Sequence, residues 1–142
     1  MKSAENQMKL YLPSLSVNES VARSAVAVFV ARLNPTIEEL SDIKCAVSEA
    51  VTNSIVHGYG FADGEIYIGV KCFSDRTVKI EIRDKGCGIE DVKLAMTPLF
   101  TTDKSGERSG MGFAVMQTFM DSLEVYSKKD MGVRVIMEKK FK

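Results

Sequence analysis

Between Thr36 and Gly58 the chain spells one long amphipathic helix, and no other segment constrains the fold as much. Thr36-Ile-Glu-Glu39 reads as a capping box, which fixes where the helix begins. Ile43, Val47, Ala50, Val51 and Ile55 recur at helical spacing and form a stripe that must be covered by other structure. Gly58 stands where a left-handed C′ residue would end the helix near His57. Glu49, Asn53 and His57 follow one another at intervals of four, so they share one flank of the helix beside the apolar stripe. A polar row bordering a buried face needs a reason, and a ligand cleft is one.

The remaining segments supply the cover. Residues 8–12 alternate and read as an edge strand before Pro13. Asn18 is placed to cap a helix through about Leu33, with Val21, Ala25, Val28 and Phe29 as its apolar face and Asn34-Pro35 as its stop. Glu65–Phe73 and Thr77–Arg83 alternate as half-buried strands joined through Ser74-Asp-Arg76. A short helix is expected near Glu90–Met96. A polar, mobile loop is expected over Pro98–Ser109, then a helix opened by Gly110 that carries Phe113, Met116, Phe119 and Met120. Two strands close the chain, Ser122–Ser127 and Val133–Lys139, turning through Lys129-Asp-Met-Gly132. The order β α α β β (α) loop α β β predicts an α+β two-layer sandwich. Its sheet is mixed but mostly antiparallel, its helices lie on one face, and residues 1–142 form a single domain.

Chemistry enters at three places. On the long helix, an asparagine oxygen at position 53 suits a Mg²⁺ that takes its other ligands from phosphates and water. The glutamate at 49 suits a general base for a group attacking a γ-phosphate. The same pair also fits an ordinary solvated helix face. At the end of the second alternating strand, Asp84-Lys-Gly86-Cys-Gly88 offers a carboxylate for an exocyclic amine such as adenine N6, beside glycines that leave room for a base. It also fits a plain strand-terminal turn, and a guanine amine would satisfy the same aspartate. Gly110 and Gly112 open a helix whose free N–H groups and positive dipole end suit phosphate, and Arg108 stands close enough in sequence to reach a γ-phosphate. Lys104, in the same stretch, reads as a solvated cation. The glycine pattern is neither a P-loop nor a Rossmann turn. Taken in order, the three motifs specify ATP with Mg²⁺.

Composition narrows the partners. A formal net charge of zero gives no broad steering toward nucleic acid. No apolar run approaches the roughly 20 residues of a membrane span, and the first residues lack a signal-peptide core, so a cytoplasmic location is expected. Cys45, Cys72 and Cys87 are odd in number without a CxxC, and His57 is the sole histidine, so a zinc site would be hard to assemble and reduced thiols are expected. Cys87 reads as a small gap-filling side chain.

The motifs resemble those of the GHKL superfamily of ATPases, the Bergerat fold. Glu49…Asn53 is similar to its N box, and Asp84-x-Gly86-x-Gly88 and Ser109-Gly110-Met-Gly112 to its two glycine boxes. Longer strings resemble the bacterial anti-sigma factors with serine-kinase activity, those of the sporulation sigma-F type above all. These strings are Val47-Ser-Glu-Ala-Val-Thr-Asn53, His57-Gly-Tyr59, Ile82-Arg-Asp-Lys-Gly-Cys-Gly-Ile89, Pro98-Leu-Phe-Thr-Thr102 and Glu107-Arg-Ser-Gly-Met-Gly-Phe113. That resemblance implies a homodimer that holds a sigma factor and, with Mg-ATP, phosphorylates a serine on an anti-anti-sigma partner. ADP stabilises the complex with that partner. On the matching positions Glu49 is the base, Asn53 holds Mg²⁺, and Asp84 binds adenine. Gly86 and Gly88 shape the pocket, and Arg108, Gly110 and Gly112 contact phosphates. Arg23 matches an arginine of the partner-binding surface, and Pro98–Ser109 a lid. The family commonly has Thr or Ser where this chain has Val133, a hydroxyl whose loss would weaken nucleotide binding by about 0.5–1.5 kcal/mol. The resemblance leaves a sigma-B-type stress switch and a sequestering module with little kinase activity as alternatives. A histidine kinase fits less well, because His57 lies on the N-box helix and position 49 is a carboxylate. A gyrase-like or MutL-like ATPase is expected less, because it would need a following domain to supply a transducer lysine.

Overall fold

The computed structural model describes residues 3–96 and 112–142. Five strands form one sheet in the order β1-β2-β3-β5-β4. They are β1 (Asn6–Pro13), β2 (Glu65–Cys72), β3 (Thr77–Asp84), β4 (Ser122–Ser127) and β5 (Val133–Lys140). Every pair is antiparallel. Alternation along each strand sends one set of side chains to each face of the sheet. The register aligns Leu10, Ile68, Ile82, Val135 and Val125 in one row across the sheet, and Met8, Val70, Ile80, Met137 and Leu123 in the next. These rows belong to the single hydrophobic core, together with side chains of α1 (Asn18–Val30), α2 (Ile37–Asn53) and α4 (Gly112–Phe119). The result is the predicted two-layer α+β sandwich, with the core between sheet and helices. A short α3 (Val92–Ala95) is capped by the Asp91 carboxylate, which accepts from the Leu94 N–H at 3.0 Å.

α2 begins as expected. The Thr36 hydroxyl oxygen accepts from the Glu39 N–H at 3.0 Å, and the Glu39 carboxylate accepts from the Thr36 N–H at 2.9 Å. Its predicted core residues Ile43, Val47, Ala50, Val51 and Ile55 are all buried. Its end differs from the expectation. After Asn53 the backbone widens into a π turn, Ser54–Gly58, in which the Tyr59 N–H reaches back to the Ser54 carbonyl at 2.9 Å. Gly58 is therefore not a C′ residue but a buried member of that turn, and Gly60 and Phe61 adopt the left-handed angles that follow, φ 58° and 65°. Single π turns often occur at functional sites, because they rotate the residues beyond them relative to the helix.

α1 corrects the sequence reading in two places. Asn18 is the first helical residue and not its cap; its side-chain amide donates instead to the Pro13 carbonyl at 2.9 Å. The buried face is Ala22, Val26, Ala27 and Val30, whereas Val21 and Val28 of the predicted face are 45% and 77% exposed. The helix is apolar nearly all round, so periodicity alone does not set its phase. The small side chains of Ala22 and Val26 go inward, where α1 packs against α2. Asn34 ends the segment in a left-handed conformation, φ 53°, which asparagine tolerates better than most residues.

Candidate functional site

β3 ends at Asp84, opposite Val133 of β5 and beside the π turn of α2. Three donors converge on its buried carboxylate. The Ser54 hydroxyl donates to Oδ2 at 2.6 Å; the Gly86 and Val133 N–H groups donate to Oδ1 at 2.9 and 3.2 Å. Burial pushes the Asp84 carboxyl above its ordinary range, and the bonds from Ser54, Gly86 and Val133 oppose that rise. Among the described residues the site thus holds a buried acceptor stabilised by three dipoles and by no cation, as a group awaiting a neutral donor should be.

The glycines are explained by backbone packing. A Cβ on Gly86 would lie 2.2 Å from the Gly58 carbonyl oxygen, so the turn after β3 and the π turn touch through bare backbone. A Cβ on Gly58 would stand 3.1 Å from Asp84 Oδ2, so a side chain there would press on the carboxylate. Gly88 has φ 72° and would place a Cβ 2.0 Å from the Lys128 carbonyl oxygen in the β4–β5 hairpin. We therefore expect Gly88→Ala to lower stability by about 2–4 kcal/mol, from left-handed strain and a backbone clash together. Urea unfolding checks this, and a loss below about 0.5 kcal/mol would mean the two segments part without cost.

Tyr59 ties the same region together. Its hydroxyl donates to the Glu65 carbonyl at 2.6 Å and accepts from the Lys85 N–H at 2.7 Å, next to Asp84. Cys87 is exposed and not a gap-filler; its thiol donates to the His57 carbonyl at 3.0 Å. All three cysteines are free. Val133 contributes its main-chain N–H to Asp84 while its side chain packs on the core. The position thus touches the carboxylate whatever side chain it carries.

Glu49 and Asn53 sit half-buried on the last turns of α2, and His57 half-buried in the π turn. α2 also receives α4, whose first residue is Gly112. The structure therefore joins Glu49, Asn53, Asp84, Gly86 and Gly88 through α2, its π turn and the end of β3, with Gly112 on the helix packed against α2. Arg108, Gly110, Lys104 and the expected loop 98–109 lie outside the described residues. Arg23 lies apart on α1, half-exposed, its guanidinium 3.9 Å from the Glu19 carboxylate one turn earlier. Sequence reasoning missed Ser54 and Tyr59. Ser54 follows Asn53 directly but lies four residues after Ala50 and seven after Val47, so α2 itself carries it on the buried stripe, where it meets Asp84. The one signal available was a serine among apolar residues at the end of a core helix.

The sequence profile of the histidine kinase-like ATPase domain matches residues 12–139. An anti-sigma F factor of Clostridium novyi is 56% identical over 138 residues, covering 96% of each chain. Anti-sigma F factors of Clostridium botulinum and Clostridium perfringens are 58% and 52% identical, again over 96% of this chain and 96% and 97% of theirs. Among solved structures, the RsbU and RsbW domains of a Mycobacterium tuberculosis protein match 96% of this chain and 32% of theirs, with a TM-score of 0.68 at 15% identity. The catalytic domain of the histidine kinase ThkA matches 96% of both chains with a TM-score of 0.56 at 16% identity. At these identities the two structures establish a shared fold.

Proposed function

The chain belongs to the histidine kinase-like ATPase domain family and, through relatives identical at more than half of their aligned positions, to the anti-sigma F factors, and from that premise we propose that it is an ATP-dependent protein-serine kinase that also sequesters a sigma factor. The observation that carries the nucleotide half is the Asp84 carboxylate, buried, held by three neutral donors and approached closely by the bare Gly58. An ATPase domain requires an adenine nucleotide, and an acceptor of this kind at the end of β3 suits the adenine N6 amine.

The roles follow from position. Asp84 accepts the base amine, with Gly86 and Gly58 forming the bare backbone beside it. Asn53 holds a Mg²⁺ carried on the phosphates. Among the described residues no group of three or more His, Cys, Asp or Glu side chains could cage a metal, so the amide oxygen suits an ion that brings its other ligands with it. That ion neutralises charge on the phosphates during transfer. Glu49, one helical turn before Asn53, accepts the proton of the partner's serine hydroxyl. Arg108, Gly110 and Gly112 contact phosphates.

The protein partners belong to the outer face of α1. Val21, Ala25, Val28 and Phe29 with Met8 of β1 form an apolar groove on the surface, flanked by Arg23. A helix apolar on both sides is covered on both sides in its working form. We assign this region to a second copy of the chain, to a sigma-F-type factor and to the anti-anti-sigma factor. No described helix is long and apolar enough to cross a membrane. Residues 1–142 act as one kinase domain in this reading. Gel filtration with a purified sigma-F-type factor and Mg-ATP tests the sequestering half. Co-elution is expected, together with release of the sigma factor when unphosphorylated anti-anti-sigma factor is added. Separate elution at micromolar concentrations would count against it.

A further inference from the structure

A carboxylate has about four lone-pair positions, two on each oxygen. In Asp84 three are committed: both on Oδ1, to the Gly86 and Val133 N–H groups, and one on Oδ2, to the Ser54 hydroxyl. One acceptor position remains, on Oδ2. Adenine presents a single donor group, its exocyclic amine, beside the acceptor N1. Guanine presents two adjacent donors, the N1–H and the 2-amine, which pair with a carboxylate through both oxygens at once. A carboxylate with Oδ1 filled cannot make that fork.

We propose that Ser54 is a specificity-determining positioning residue: by donating to Oδ2 it fixes the Asp84 carboxylate so that one acceptor site faces the base, which admits adenine and rejects guanine. The inference deepens the nucleotide reading given above and rests on it. Ser54 is 5% exposed and its proton is committed to Asp84, so it acts through the aspartate and does not read the base itself. Without the hydroxyl, Oδ1 stays filled by Gly86 and Val133, but Oδ2 has two open acceptor positions, enough to take both guanine donors on one oxygen.

The test is isothermal titration of ADP and GDP, with Mg²⁺, into wild type, Ser54→Ala, Ser54→Thr, Asp84→Asn and the double variant Ser54→Ala/Asp84→Asn. Thermal unfolding of each protein is measured in parallel. Wild type prefers ADP. Ser54→Ala is expected to lower the ADP-over-GDP affinity ratio about tenfold, the size of one hydrogen bond to a charged group. Ser54→Thr, which keeps the hydroxyl, retains the ratio, and Ser54→Ala changes nothing further in the Asp84→Asn background. A merely structural serine would weaken both nucleotides equally and leave the ratio alone. An unchanged ratio in Ser54→Ala, or an equal loss in the Asp84→Asn background, overturns the role of Ser54 while leaving the adenine site intact. If Ser54→Ala fails to fold, Ser54→Cys, whose thiol is only a weak donor, takes its place: a lowered ADP-over-GDP ratio supports the role and an unchanged ratio overturns it. A wild type without preference for ADP overturns the nucleotide reading itself, and this inference with it.

Discussion

Asp84→Asn is expected to weaken adenine-nucleotide binding by about 10- to 150-fold while leaving the free protein at least as stable as wild type. The asparagine has the shape to keep its neighbours: its Oδ1 accepts from the Gly86 and Val133 N–H groups, and its amide donates to the Ser54 oxygen, reversing one bond. It also removes a buried charge. The sign follows from the raised carboxyl pKa, whose largest cause is burial. A folded-state value above the unfolded one means the native state holds the proton more tightly. The stabilising contribution is then complete below about pH 3.9, the ordinary aspartate value, and is lost as pH rises through the folded value. Above that value the wild type carries an ionised, buried carboxylate that the variant lacks. Thermal unfolding at pH 5 and pH 7 should therefore show the variant gaining on the wild type as pH rises. Binding moves the other way. A carboxylate acceptor becomes an amide whose donor faces the base amine, and loss of a hydrogen bond to a charged group weakens binding by about 1.5–3 kcal/mol, roughly 10- to 150-fold. The stabilisation of about 2.7 kcal/mol that wild type gains at a hundredfold excess of ligand over Kd should fall accordingly. A variant that binds ADP normally would remove Asp84 from the base pocket, and one that unfolds would make it structural.

Glu49→Gln is expected to lower phosphoryl transfer to the partner serine by about 10²- to 10⁴-fold, the usual contribution of a positioned general base. Binding of ADP and of a sigma-F-type factor should be nearly unchanged. The substitution keeps shape and removes only the basic oxygen, and Glu49 lies on the half-buried flank of α2, away from Asp84 at the end of β3. Single-turnover transfer separates the chemical step from partner binding. Transfer at the wild-type rate would show that another group takes the hydroxyl proton.

Much of this was legible in the sequence, for identifiable reasons. The α2 stripe was unambiguous because one side is apolar and the other is not, and the capping box marked its start. The strands announced themselves by clean alternation, and their inward residues form the rows that cross the sheet. α1 was misphased because valine and alanine occupy both of its sides, so the period identifies the helix and not its buried face. Burial of Ala22 and Val26 follows from the closeness of α2, a tertiary fact. Asp84, Gly86 and Gly88 were found by spacing, but their reasons were not. Gly86 and Gly88 are glycine because the Gly58 and Lys128 carbonyls approach them, and those contacts join segments far apart in sequence. Ser54 escaped for a related cause. It sits on the buried stripe of α2, but the carboxylate it serves is 30 residues away in sequence.

The most direct test of the central claim is to incubate the protein with Mg-ATP and a sigma-F-type anti-anti-sigma factor and to map the phosphate by mass spectrometry. The account predicts a single phosphoserine on the partner, ATP consumed in proportion, and no phosphate on the kinase itself. An unmodified partner, with ADP bound and a sigma factor held, would make this chain a sequestering module. Phosphate on His57 would make it a histidine kinase.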